Sequence, residues 1–312
     1  MTERGATMKG AAFGVTAMIT VGSSASVLAA LGDYPTFGGQ AIRYAGAAVI
    51  LLILLRVLRI AHMRGTAPDW LRLTLLAATG LAGFNVCYVE AVRHADPATV
   101  GAIIGGVPIV MAVLDPILRR RAPSSRLIAA AAVVSVGVAV MQGFGGGSVL
   151  GLLWALGALA AEVAFTLLAV PLLPKYGPMR VSAYASVLSV PLLLLAGFLV
   201  DGRAALPVPD ATQTVAFAYL AVVVTALAFV LWYSAVGRLG ADRAGLCAGI
   251  APVSSVFAAW LIATGNPSTA DLVGAVLVGL GVLVGLMPAA TPPEAAGTLT
   301  RRPIGRSRRS GL

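Results

Sequence analysis

Apolar residues run along this chain in long blocks, broken by short stretches that hold most of the charges, prolines and glycine clusters. A helix needs about 20 apolar residues to cross ~30 Å of hydrocarbon. Ten runs meet that length, at approximately 10–31, 35–56, 70–92, 97–118, 127–143, 150–171, 180–200, 212–236, 243–264 and 270–288. Segments such as Ala47 to Leu55 do not alternate with period two, so the runs predict helices rather than barrel strands.

Composition narrows the class further. Of 312 residues, 59% are hydrophobic and 11% charged, and mean hydropathy is +0.93. A soluble domain carries about a quarter charged residues, so a water-soluble fold is set aside. The net charge of +10 would suit a nucleic-acid partner, but the basic residues lie between apolar runs, where they report membrane topology. Nineteen Lys and Arg fall in one set of alternating connections, and Arg93 and Arg203 alone in the other. Both termini are therefore expected in the cytoplasm of a multi-pass protein of the cell membrane, with no nucleic acid bound. Residues 1–9 form a cytoplasmic N-terminus, retained rather than cleaved as a signal peptide. The Pro-, Gly- and Arg-rich stretch 289–312 reads as a disordered basic tail that can touch anionic lipids.

The chain also repeats itself. AVRHADPATVGAIIGGVPIV from Ala91 aligns without gaps to AVGRLGADRAGLCAGIAPVS from Ala235, an offset of 144 residues. In that register Ala82 meets Ala226, Gly101 meets Gly245, Pro108 meets Pro252, Pro123 meets Pro267, Ser124 meets Ser268 and Gly137 meets Gly281. The expected organisation is repeat 1 over 10–143, a Gly-rich linker at 144–149 and repeat 2 over 150–288. Five spans per copy is an odd number, so the second copy enters the membrane upside down. The fold class is thus an all-α membrane protein of ten transmembrane helices in two inverted five-helix repeats. Such repeats place substrate near the bilayer midplane and permit alternating access.

Several features together resemble the EamA family of the drug/metabolite transporter superfamily over about residues 10–288. They are VGSSASVLAAL and PTFGGQAIRYAGAA in the first two helices, and AV…Pro108…Gly137 and AV…Pro252…Gly281 in the two copies. The chain differs from the family pattern at Val21 before Gly22, where Trp is common. It differs again at Arg119-Arg120-Arg121 and Thr264-Gly265-Asn266, where Gly-Glu-Arg is common. The resemblance implies two EamA domains and secondary transport of small molecules. Export of amino acids or small polar metabolites, with a proton as candidate coupling ion, is the leading expectation. Cationic drug efflux is the alternative within transport, and an intramembrane lipid-modifying enzyme the alternative outside it.

Candidate site residues follow from polarity at depth. Arg43 and Glu162 fall near mid-helix, where a charge costs from ~2.5 to over 10 kcal/mol unless a cavity or partner receives it. They are read either as an ion pair joining the copies or as substrate and coupling groups. Arg43 would then hold a carboxylate and Glu162 a proton. Trp154 and Thr166 share an approximate face with Glu162. Asn85 and Tyr88 in the third run correspond to Phe229 and Trp232 in the eighth, beside Tyr233, and suggest a half-polar, half-aromatic wall. Ser23, Ser24 and Thr20 either line the cavity or pack helices closely. Pro108 and Pro252 are read as mid-helix kinks or gating hinges. Gly281-xxx-Gly285 suggests packing or a homodimer face. Glu90 with Arg93, and Asp115 with Arg119, are spaced for interfacial ion pairs. No phosphate loop or HExxH occurs, and His62, His94, Cys87 and Cys247 lack ligand spacing, so no cofactor or metal is expected.

Overall fold

The computed structural model describes residues 3–61, 63–262 and 265–287. Ten helices in it are long and apolar enough to span a membrane. They are α1 (Gly5–Ala29), α2 (Thr36–Val57), α3 (Ala67–His94), α4 (Pro97–Leu118), α5 (Ser125–Gln142), α6 (Val149–Leu167), α7 (Leu173–Ala205), α8 (Ala211–Leu239), α9 (Ala241–Leu261) and α10 (Thr269–Leu286). His62, Thr264 and the basic tail lie outside the described residues.

The 144-residue offset governs local structure far beyond the stretch where identities reveal it. Helices α5 and α10 begin at Ser125 and Thr269 and end at Gln142 and Leu286. α3 and α8 begin at Ala67 and Ala211. Each of these two passes through a π-helical stretch, Leu76–Gly83 in one and Leu220–Leu227 in the other. Each also starts at a capping box, Thr66 with Asp69 and Asp210 with Gln213. These boxes satisfy backbone N–H groups that a helix start leaves orphaned. π-helical turns in α-helices concentrate at functional sites, and here they sit at equivalent depths in both copies.

Packing obeys the same exchange of copies. α2 packs on α7, α4 on α9 and α5 on α10, pairs that map onto themselves. α1 packs on α8 as α6 packs on α3. At the α5–α10 crossing glycine lets the backbones touch. A methyl at Gly274 would come 2.5 Å from the Gly137 carbonyl oxygen, and one at Gly281 would come 2.8 Å from that of Ala130. Gly285 is filled in turn by Leu246. The Gly281-xxx-Gly285 face is therefore packed against α5 and Leu246 inside the chain. α10 is also capped by Ser268, whose hydroxyl accepts from Asp271 N–H at 3.1 Å. Ser268→Ala is expected to cost about 1 kcal/mol, visible as a lower thermal midpoint in detergent.

The boundaries between α6 and α7 differ from the sequence expectation for local reasons. α6 stops at Leu167, four residues short, because the chain turns before Pro174. α7 begins at Leu173, with Gly177 at φ 72° breaking the first turn from the long helix that Pro178 opens. Only glycine adopts that conformation without a Cβ penalty. The prolines expected as mid-helix kinks sit elsewhere in the hydrogen-bond ladder. α4 is already interrupted at Gly105–Gly106, and Pro108 lies in the first turn of its second half, Val107–Leu118. α9 is interrupted at Leu246–Gly249, and Pro252 lies in the first turn of Ile250–Leu261. A first-turn proline sacrifices no helical bond. The breaks come from the glycines, and the prolines restart the helices.

The linker is anchored. Gly146 and Asp96 exchange hydrogen bonds, Thr99 bonds Gly145, and Ser148 N–H donates to the His94 carbonyl at 3.0 Å.

Candidate functional site

Four helices, two from each copy, bring polar groups together at mid-depth: α2, α3, α6 and α8. Arg43 extends from α2 to the π-helical stretch of α8. Its Nε donates to Thr225 Oγ1 at 2.6 Å, with Gln40 Oε1 at 3.3 Å and the Val224 carbonyl at 3.5 Å beside it. Thr225 can receive it because its own hydroxyl proton goes to the Leu220 carbonyl five residues back, at 2.9 Å. On the symmetry-related stretch of α3, the Asn85 amide donates to the Leu81 carbonyl at 2.8 Å. Both polar contacts use carbonyls of the two π-helical stretches, whose altered geometry leaves them free to accept side-chain protons.

Glu162 completes the cluster from α6. Neither a hydrogen bond nor an ion pair reaches its carboxylate from the described residues, and it is half-buried. The Arg43 guanidinium lies 5.4 Å from the centre of the Tyr44 ring, and the Tyr233 hydroxyl donates to the carbonyl of Phe165, one turn along α6 from Glu162, at 3.1 Å. Aromatic rings fill the remaining wall: Phe165 meets Phe229 at 4.9 Å and Tyr233 at 5.1 Å in tilted pairs, and Tyr44 lies 6.2 Å from Phe229. Gly80 permits this approach, since a methyl there would meet the Phe165 backbone at 2.7 Å. The arrangement sets an anchored cation and an unpartnered carboxylate around an aromatic wall.

The structure gathers some of the sequence candidates and separates others. Arg43, Asn85 and Glu162 belong to one cluster, but Arg43 and Glu162 form no ion pair; Thr225 and Gln40 hold the guanidinium instead. Thr166 is 1% exposed and accepts from Trp232 Nε1 at 3.0 Å, so it closes the bundle rather than lining a cavity. Trp154 packs with Ala91, Val100 and Ala155 at the far end of α6. Tyr88 is 40% exposed and stacks on Phe84 at 5.9 Å. Ser23 Oγ is 2.7 Å from the Tyr219 hydroxyl and joins α1 to α8. No bond to the Ser24 hydroxyl is found among the described residues. Thr20 donates to the Ala17 carbonyl at 2.7 Å. The expected pairs Glu90–Arg93 and Asp115–Arg119 form at 2.6 and 2.8 Å. Gln40, Tyr44, Phe165 and Thr225 escaped the sequence reading. The signal available was a polar residue inside an apolar run, which Thr225 and Gln40 both are.

The two ends of the bundle are packed unequally. Val107–Leu118 buries Val107, Pro108, Met111, Ala112, Asp115 and Pro116 toward the arginine-rich end. Its equivalent toward the arginine-poor end, Ile250–Leu261, buries none of its residues. A cavity of about 200 Å³ enters from that looser end and reaches Arg43 past Tyr34, Gln40 and Phe217. At the other end a vestibule of about 440 Å³, flanked by Arg119 and Arg238, stops at Tyr233, which is fully buried. Arg43 is thus reached from the arginine-poor face, whereas the vestibule at the arginine-rich face ends at Tyr233.

Ten apolar helices in two inverted copies, with ionisable groups meeting between them, define a multi-pass membrane protein of transporter architecture. The chain belongs to the EamA-like transporter family, whose model matches residues 8–142 and 149–287. It is 27% identical over 254 residues to the uncharacterized transporter YetK of Bacillus subtilis, covering 79% of this chain and 77% of that one. It is also 27% identical over 257 residues to a probable terminal-alkyne amino-acid exporter of Streptantibioticus cattleyicolor, covering 81% of this chain and 85% of the other. A crystal structure superposes with TM-score 0.76 at 21% identity, over 88% of this chain and 97% of its own, and shows the same fold. The family and these relatives are transporters, which sets aside the intramembrane-enzyme alternative.

Proposed function

We propose that this protein is a secondary transporter of the cell membrane that exports amino acids or small polar metabolites by alternating access, with both termini in the cytoplasm. One observation carries the reading: an unpartnered carboxylate, Glu162, shares a mid-depth site with a guanidinium fixed by Thr225. A guanidinium offers a planar fork for a carboxylate, and a desolvated acid can take a proton or an ammonium group. A small zwitterion answers both charges while Tyr44, Phe165 and Phe229 receive its apolar part. The naming of one relative as a probable amino-acid exporter supports the same substrate class. Orientation rests on the arginine bias, and proton coupling on Glu162. Comparing metabolites inside and outside cells that lack or overproduce the protein tests the assignment. Amino acids should accumulate inside the deletion strain and outside the overproducer; unchanged pools on both sides would remove it.

A second reading, export of organic cations, gains from the same carboxylate, because Glu162 is not neutralised by Arg43. It predicts that cationic dyes, rather than amino acids, compete for transport in proteoliposomes.

A further inference from the structure

At the arginine-rich face, Asp69 at the start of α3 is the centre of a contact between the two copies. Its Oδ2 accepts from Thr66 N–H at 2.9 Å and from the Thr66 hydroxyl at 2.7 Å within its own capping box. From the other copy it accepts from the Tyr176 hydroxyl at 2.9 Å and from Lys175 Nζ. The Asp69 side chain is 11% exposed. Four donors on one buried oxygen make a charge-assisted network, stronger than neutral hydrogen bonds of the same number.

The inverted repeat supplies the counterpart. Asp69 corresponds to Gln213 and Lys175 to Leu31 at the 144-residue offset, and Gln213 Nε2 donates to the Leu31 carbonyl at 3.3 Å. The same two elements therefore touch at the arginine-poor face, but with neither charge. Three other bonds between copies at that end are also neutral: Tyr34 to the Pro207 carbonyl at 2.7 Å, Ser23 with Tyr219 at 2.7 Å, and Ser254 to the Ile19 carbonyl at 2.8 Å.

We infer that the Asp69–Lys175–Tyr176 cluster is a latch that holds the arginine-rich mouth shut, and that Gln213–Leu31 is its weaker twin on the opposite mouth. Both contacts are formed in this structure, so alternating access has to break one or the other, and the neutral contact is the one that yields more readily. Their unequal strength biases the resting protein toward the form closed at the arginine-rich face. The burial asymmetry of α4 and α9 is what that bias produces. The inference rests on the alternating-access reading above and is independent of which substrate is carried.

Nitroxide labels at symmetry-related, exposed positions test it in a background with Cys87→Ala and Cys247→Ala. One pair, Leu71→Cys with Pro174→Cys, spans the arginine-rich mouth; the other, Val215→Cys with Ala30→Cys, spans the arginine-poor one. Pulsed electron-spin distances are read in lipid vesicles. Asp69→Asn and Lys175→Met should each raise the long-distance population at the arginine-rich mouth roughly tenfold and shorten distances at the other. The charge-reversed double Asp69→Lys with Lys175→Asp should restore the parent distribution. Gln213→Glu with Leu31→Lys, which gives the opposite mouth an ion pair, should shift the population the same way as latch loss while leaving Asp69 intact. It therefore reads the proposal even where an Asp69 variant fails to fold. Distances that respond to this double but not to Asp69→Asn or Lys175→Met overturn the latch alone. Distances fixed at both mouths in every folded variant overturn alternating access with it.

Discussion

Glu162→Gln is expected to abolish uptake driven by a pH gradient in proteoliposomes while leaving the protein folded and its substrate-exchange activity measurable. The amide keeps the size of the side chain and removes its proton and charge. Because no hydrogen bond or ion pair from the described residues reaches the carboxylate, the change breaks no such contact, and loss of coupling can be assigned to the missing acid. The effect should exceed roughly tenfold in driven transport, the range in which a buried functional carboxylate acts. Full pH-driven transport by the variant would strip Glu162 of the coupling role, and a protein that exchanges cationic dyes instead would favour the second substrate reading.

Gly274→Val should have the largest effect on stability. Its first methyl already lies 2.5 Å from the Gly137 oxygen and 2.2 Å from Met141, and neither helix can retreat without opening the α5–α10 seam. Overpacking of this kind costs about 1–3 kcal/mol when only side chains clash, and here a backbone carbonyl is the obstacle. Little folded protein should be recovered from membranes, and what remains should melt well below the parent in detergent. Gly279→Val on the same helix is the control, since no atom lies within 4 Å of its added carbon; equal loss in both would show that the seam is not the cause.

The sequence made the ten spans legible because lipid allows few ways to satisfy a backbone, and length with hydropathy then suffices. The duplication was legible only where identity survived, at pairs such as Pro108 and Pro252. Elsewhere the copies keep a role and change the residue. Thr66 with Asp69 and Asp210 with Gln213 are the same helix start written differently. The matched π-helical stretches hold only Leu, Ala, Gly, Val and Thr, with nothing in their pattern to distinguish them from α-helix.

Within the site, Arg43, Glu162 and Asn85 stood out because polarity in an apolar run is expensive. Tyr44 and Phe165 did not, since aromatic residues in such runs are ordinary. The partners of Arg43 could not be read either. Charge alone pointed to Glu162, whereas geometry gave it Thr225, 182 residues away. Thr166 misled for the converse reason: it shares the face of Glu162, yet Trp232 had already claimed its hydroxyl.

The central claim is that one mid-depth cavity between inverted copies opens to either face in turn. A single cysteine at Asn85, in protein lacking Cys87 and Cys247, can be probed with a membrane-impermeant thiol reagent applied to right-side-out and inside-out vesicles. The resting protein should react from the arginine-poor side and be protected from the other, with the preference reversing when Gln213→Glu and Leu31→Lys are introduced. Reaction from both sides at once, or from neither in any variant, would contradict the account.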